Sequence, residues 1–338
     1  MKTCWTITNG TAGTVSQSLG LAQAIGFKKI IQKVFKANFS LSLIPAIAHV
    51  FLKKFLASDS DKLKGPWPNV VIGCGRRVIP FLLYIKKASG GKTYCIYIQD
   101  PKISSKYFDL VIKMQHDSIE GNNVIATDFS LNLVSKEKLF EEKKKHMRVF
   151  ARLTKPYYSI LIGGNTKRFK MNNQAIKDLF CKISAIVELC PGSILITTSR
   201  RTPKIVKELL RSQFNKNSKV HIVESGSKSG NPYFAMLALA EKIFVTNDSV
   251  NMVSEACACE KPVYIIPLLN ISLGKTKRFL DVLNNKDLVK TFDNNLVEKT
   301  AKPNFNNNEL VADKMRKKMI EVGVCSLNDF NLKEKNCS

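Results

Sequence analysis

The chain has 338 residues, which at roughly 100–200 residues per domain favours two domains or one large one. Its 44% hydrophobic content supports a sizeable core, while 53 Lys+Arg against 27 Asp+Glu leave a formal net charge of +26. That balance excludes an acidic disordered chain and points to an anionic partner, although a lysine- and asparagine-rich composition is also what AT-rich codon usage produces.

Short apolar runs alternate with longer helical ones, the pattern of α/β folds built on parallel sheets. Strands are predicted over 3–8, 29–35, 69–74, 93–98, 110–114 and 123–126. Helices are predicted over 15–25, over a basic amphipathic stretch at 44–56, and over 77–88. A Lys/Glu-rich segment, 135–155, reads as an exposed helix plus linker, ended by Pro156. The alternation then restarts. Strands fall at 158–162, 193–197, 219–223, 242–246 and 262–266, separated by helices at 172–188, 203–211, 232–240 and 249–258. One amphipathic helix and a polar tail close the chain. The expected architecture is therefore two Rossmann-like, doubly wound domains facing each other across a cleft: 1–155 with the charged linker, 156–300, and a C-terminal piece at 301–338.

The most apolar stretch, 41–52, is about a dozen residues long, short of the roughly 20 a spanning helix needs. The start MKTCWTITNGTAG has no apolar h-region and is not a signal peptide. A cytoplasmic protein is expected. The basic stretch at 44–56, with Lys28, Lys29, Lys33 and Lys36, would suit peripheral contact with an anionic membrane or a lysine-faced helix packed on the core. The nine cysteines are scattered without a CxxC pair, so reduced buried thiols are expected rather than zinc ligands. Nothing resembles a zinc finger or an RNP motif, and no specific nucleic-acid partner is expected.

In open α/β sheets ligands sit at the C-terminal ends of the strands, so the loops there carry the chemistry. In the first half, ITNGTAGT (7–14) offers Gly10 and Gly13 for a tight turn before a helix N-terminus. GCGRR (73–77) sets Gly75 and Arg76 after a strand, suited to phosphate or carboxylate. Neither is a G-x-G-x-x-G fingerprint, which removes the main support for a dinucleotide dehydrogenase. IQDP leaves Gln99 and Asp100 at a strand end, and His116 beside Asp117 is a plausible base with its orienting partner. In the second half, ILIGGNTK runs a strand into Gly163, Gly164 and Asn165, as in phosphate-cradling loops. TTSRRTP places Ser199, Arg200 and Arg201 at the next strand end. TNDSVNMVSE carries Asp248, Ser249 and, on the second turn of a helix, Glu255, where a carboxylate can accept both ribose hydroxyls. Its small and apolar neighbours predict a partly buried position.

The segment NPYFAMLALAEKIFVTNDSVNMVSEACACEKPVYIIPL, from Asn231, resembles the donor-nucleotide segment of GT-B glycosyltransferases, closest in layout to the lipid-linked N-acetylglucosaminyl transferase of peptidoglycan synthesis. The full set, from the first glycine loop through GRRVIP, IQDP, ILIGGNTKRF and TSRRTP, resembles the "elongated mitochondria" fission-protein family over residues 3 to about 285. Bacterial members of that family are regarded as glycosyltransferases. The resemblance implies a nucleotide-sugar donor held by Glu255 at the ribose and by Gly163 and Gly164 at the diphosphate. Lys277 and Arg278 would lie at the donor sugar and phosphate, and the loops of Gly10 and Gly75 on the side of a lipid-linked or glycan acceptor. One departure is Thr14, which stands where the transferase has a His. A base must then come from Asp100, His116 or Asp117, or the chain is a non-catalytic adaptor that binds a partner at a membrane, as eukaryotic relatives are held to do.

For sugar transfer, the leaving diphosphate needs its charge stabilised. Amides at Gly164–Asn165, a helix N-terminus and Arg200 or Arg201 are the expected donors. No D-x-D pair stands at a strand end, so neither a metal nor another cofactor is expected.

Overall fold

The computed structural model describes residues 2–36, 52, 56–166, 169–223, 231–269, 274–294 and 307–331. Two compact units result: Met1–Leu133 with Asn306–Ser338, and Val134–Phe305.

The first unit contains β1 (Thr3–Thr8), α1 (Ala12–Ile25), β2 (Lys29–Val34), β3 (Val70–Cys74), α2 (Ile79–Ala88), β4 (Tyr94–Ile98), β5 (Leu110–Met114) and β6 (Val124–Thr127). All pair in parallel in the order β2-β1-β3-β4-β5-β6. A parallel sheet must be covered on both faces, and the alternating side chains of β3 show it. Val70, Ile72 and Cys74 join Leu21 and Ile25 of α1, while Val71 joins Ile79, Leu82 and Ile85 of α2.

The C-terminal helix Asn307–Glu321 completes this unit, so the expectation of a separate C-terminal piece is corrected. Its Val311, Ala312, Met315 and Met319 bury against the α1 face. The Arg316 guanidinium donates to the Ala24 and Ile25 carbonyls at 2.7 and 3.1 Å, satisfying the open end of α1. The predicted amphipathic helix at 44–56 lies outside the described residues, apart from Leu52, which is buried, and Leu56.

The second unit contains α3 (Lys136–Phe150), β7 (Tyr157–Ile162), α4 (Asn173–Leu189), β8 (Ser193–Thr198), α5 (Lys204–Phe214), β9 (Val220–Val223), α6 (Tyr233–Leu239), β10 (Ala240–Thr246), α7 (Val250–Cys257), β11 (Val263–Ile266), α8 (Gly274–Asn285) and β12 (Lys290–Thr291). Its parallel sheet runs β12-β11-β10-β7-β8-β9. Ile160, Ile162, Ile194 and Ile196 meet Ile176, Leu179 and Ile183 of α4 and Val206 and Leu210 of α5. Tyr157 and Leu195 point to the other face, toward Ala235 and Met236.

The charged segment after residue 135 forms the expected exposed helix, capped by Ser135, but it belongs to the second unit rather than to the first. The reason is Phe150, buried with Tyr157 and Met236, whose carbonyl accepts the Tyr157 hydroxyl at 3.0 Å. The two-residue β12, too short to show a periodicity, has no counterpart in the sequence reading.

Candidate functional site

Each sheet has one point where the connections diverge. In the second unit β7 leads to β8 on one side while β10 leads to β11 on the other, so the loops after β7 and β10 stand at the divergence point, where open sheets form their ligand crevice. Gly163 and Gly164 follow β7, and Asn247, Asp248 and Ser249 follow β10.

A closed polar network links these loops. The Gly163 amide donates to Thr246 Oγ1 at 2.8 Å, and the Gly164 amide to Asp248 Oδ2 at 2.9 Å. The Thr246 hydroxyl donates to Asp248 Oδ1 at 2.7 Å, and the Arg201 guanidinium to Asp248 Oδ2 at 3.0 Å. From the β8 loop, the Thr202 hydroxyl bonds the Ile162 carbonyl at 3.2 Å and also the Gly163 carbonyl, while Ser199 Oγ accepts the Arg201 amide at 3.1 Å. The Asn165 amide donates to the Arg201 carbonyl at 3.0 Å.

Two expectations are revised by this network. The amides of Gly163, Gly164 and Asn165, expected at a diphosphate, bond instead to Thr246, Asp248 and the Arg201 carbonyl. Glycine is required here by the protein's own packing. A Cβ on Gly163 would lie 2.0 Å from Asp248 Oδ1, and one on Gly164 2.2 Å from the Arg201 carbonyl carbon. The Asp248 side chain has no exposed surface. Its carboxylate holds the three loops together.

What the crevice does offer is the start of α7. Ser249 adopts an extended conformation and its hydroxyl accepts the Met252 amide at 3.4 Å, turning the chain sharply from strand to helix. The N-terminal turn of a helix favours an anion. Arg200 is exposed beside the network, and the Arg201 side chain is 41% exposed while tied to Asp248. Glu255 lies on the second turn of α7, half-buried as predicted, with Oε2 accepting the Tyr233 hydroxyl at 2.7 Å. Burial, and then the negative Glu255, push the Tyr233 phenol well above its ordinary range, so it remains a proton donor that orients the carboxylate. Lys277 and Arg278 are exposed on α8, and among the described residues no hydrogen bond or ion pair joins them to this network.

The sheet of the first unit diverges between β1 and β3. Gly10 takes φ +81° after β1, whereas Gly13 is already inside α1 and is not the second turn glycine expected. Gly75 takes φ +93°, and a Cβ there would lie 3.1 Å from Thr14 Cγ2, so the two glycine loops meet. Arg76 is exposed. Gln99 holds φ +94°, a conformation non-glycine residues rarely adopt, and its amide donates to Gln17 Oε1 at 3.4 Å. Gln17 in turn accepts the Cys74 thiol at 3.4 Å.

Of the three expected bases, Asp100 is paired with Lys102 and accepts that residue's amide at 3.0 Å. Asp117 folds back on β5, accepting the Met114 amide at 3.4 Å, and is buried. His116 is half-buried. Residues that sequence reasoning did not assign include Thr246, Thr202, Tyr233 and Gln17. Tyr233 and Thr246 both stand in the quoted donor-like segment, but only their partners reveal their use.

Among the described residues no group of three or more His, Cys, Asp or Glu could hold a metal ion, and no helix is long and apolar enough to cross a membrane.

The chain is 26% identical over 329 residues to "Uncharacterized protein RP120" of Rickettsia prowazekii, covering 86% of this chain and 91% of that protein. It is 26% identical over 281 residues to "Mitochondrial fission protein ELM1" of Arabidopsis thaliana, covering 76% of this chain and 65% of that longer protein. Among solved structures, the UDP-GlcNAc 2-epimerase of Methanocaldococcus jannaschii superposes with a TM-score of 0.52 at 15% identity, covering 94% of this chain and all of that one. That likeness shows the fold, two tandem doubly wound α/β units of the GT-B type. Residues 12–319 match the family described as Mitochondrial fission ELM1, and the chain belongs to that family.

Proposed function

We propose that this protein is a glycosyltransferase that binds a nucleotide-sugar donor in its second unit and transfers the sugar to an acceptor hydroxyl. The observation that carries the reading is the position of Glu255. It is a half-buried carboxylate, oriented by Tyr233, on the helix that starts at the divergence point of the sheet. A carboxylate accepts two adjacent hydroxyls, and the helix start ahead of it favours a diphosphate.

In this reading the α7 N-terminus and the exposed Arg200 stabilise charge gathering on the leaving diphosphate. Asp248 and Arg201 hold the loop that presents them. Of the expected bases, Asp100 contacts Lys102 and Asp117 accepts the Met114 amide. Lys277 and Arg278, exposed on α8, are further candidate contacts to the sugar or phosphate, and no metal is called upon. A lipid-linked or glycan acceptor on a membrane surface fits the basic charge.

The structural neighbour's name makes UDP-GlcNAc the first donor to try, followed by GDP-, CMP- and ADP-linked sugars. A true donor at a hundred times Kd should raise stability by about 2.7 kcal/mol in a thermal-shift assay. Glu255→Ala should abolish that gain while the protein stays folded. Failure of every nucleotide sugar to stabilise the wild type would overturn the reading, and cellular function surviving Glu255→Ala would point to the adaptor.

A further inference from the structure

The first unit carries a second concavity whose chemistry the proposed transfer does not use. It is lined by Thr3 and Trp5 of β1, by Lys29, Ile31 and Lys33 of β2, and by the segment from Lys62 through Lys64 to Trp67, with a volume of about 360 Å³. Register explains why these residues meet. Thr3 pairs with Lys29, Trp5 with Ile31 and Ile7 with Lys33, so the alternate residues of two neighbouring parallel strands share one face. Among the described residues β2 is the edge strand of this sheet.

The floor and the rim differ in character. Trp5 is 5% exposed and meets Trp67 edge-on at 6.0 Å between ring centroids, and Trp67 meets Tyr84 in the same way. Ile31 and Pro66 extend this apolar floor. Four ammonium groups surround it. Lys33 Nζ stands 5.4 Å over the Trp5 ring, and Lys29, Lys62 and Lys64 are exposed. Among the described residues a single carboxylate pairs with the group, Asp61, whose Oδ1 is 3.9 Å from Lys33 Nζ. Four cations against one anion, around an aromatic floor, are complementary to a ligand with an apolar body and a multiply charged anionic end. The pocket follows β1 and β2 from Thr3 and Lys29, which open their strands, to Lys33, which pairs with Ile7.

We propose that this pocket binds an organic phosphate, with its apolar body on Trp5 and Trp67 and its phosphate on Lys29, Lys62 and Lys64. Lys33 is held in place by Trp5 and Asp61 and completes the positive rim. The phosphate belongs either to a small soluble molecule or to a lipid headgroup, and the same chemistry serves both.

The chain has two Trp, both in this pocket, so intrinsic fluorescence reads the site directly. The full-length protein is titrated with phenyl phosphate as the soluble probe and with dihexanoyl phosphatidic acid below its micelle concentration as the lipid probe. Dihexanoyl phosphatidylcholine and sulfate serve as controls. Saturable quenching or a spectral shift by phenyl phosphate at the lower concentration identifies a soluble ligand, and the same response to phosphatidic acid alone identifies a headgroup. Either result supports the site when the response weakens with added salt and falls about tenfold in affinity for Lys64→Glu, and further for Lys29→Glu/Lys64→Glu, the equivalent of about 1.4 kcal/mol per tenfold step. Both lysines are exposed, so these variants should keep the wild-type Tm, which is measured alongside. No saturable response to either phosphate overturns the proposal, as does a response that sulfate or phosphatidylcholine reproduces or that both variants retain. Because neither probe is a nucleotide sugar and neither lysine lies at the α7 crevice, failure here leaves the transferase reading untouched, and the reverse holds.

Discussion

Asp248 Oδ2 lies 3.0 Å from the Arg201 guanidinium and accepts the Gly164 amide at 2.9 Å, so one inaccessible carboxylate oxygen clamps the ends of three neighbouring strands, β10, β8 and β7. The relationship turns what reads as a string of ligand-binding motifs into a self-satisfied scaffold. In the proposed reading the ligand contacts fall to the helix start and to Glu255.

Asp248→Asn tests the clamp. The amide keeps one acceptor oxygen but loses the charge opposite Arg201, whose side chain is 41% exposed and therefore partly screened. A loss of about 2 kcal/mol is expected, measured as a lower denaturant midpoint with an unchanged slope. A wild-type midpoint would show that the pair contributes nothing.

Gly164→Ala places a methyl group 2.2 Å from the Arg201 carbonyl carbon, where backbone rather than a flexible side chain would have to move. The expected cost is about 3 kcal/mol or more, with a loss of soluble yield. Gly90 is a useful comparison for added bulk, since a Cβ there meets nothing within 4 Å, although its φ of +64° still strains alanine. Gly90→Ala should cost about 1 kcal/mol, so the order of the two midpoints is the measurement.

Burial of His221 on β9 lowers its imidazole pKa below the ordinary 6.5. The unfolded chain then takes up the proton first as the pH falls. This group's contribution is intact above about pH 6.5 and is lost as the pH drops from there through the folded-state value. Denaturation midpoints at pH 7.5 and 5.5 should show a smaller decline for His221→Gln than for the wild type. Equal declines would remove His221 as the cause.

Among the eight described cysteines Cys181 is the exposed one, and burial raises the thiols of Cys74, Cys95, Cys257 and others, with Cys190 and Cys325 pushed up to about 11. Thiolates are the reactive form, so at pH 8 an alkylating reagent should modify Cys181 rapidly and leave the seven buried thiols intact until denaturant is added. Peptide mapping of the native reaction checks this. Rapid modification of Cys74 or Cys257 would contradict the burial.

The periodicity of the chain was enough to place eleven of the strands and the helices between them, because a strand buried on both faces writes itself as a continuous apolar run, as in Val70–Cys74 and Tyr157–Ile162. It also led to the strand-end loops where Gly10, Gly75 and Gly163 lie and to the helix that carries Glu255, since the C-terminal ends of parallel strands are where an open sheet exposes its backbone. Tertiary structure alone decided the rest. Whether an amide faces a ligand or a neighbouring loop depends on which strands are adjacent, and pairing β7 with β10 brings Thr246 and Asp248 onto the Gly163 and Gly164 amides across more than 80 residues of chain. The return of Asn307–Glu321 to α1 and the meeting of Lys29 with Lys64 around two tryptophans have the same origin. Local sequence sets which face of an element is apolar. Only the packed chain determines what covers that face and which polar groups are used up in doing so.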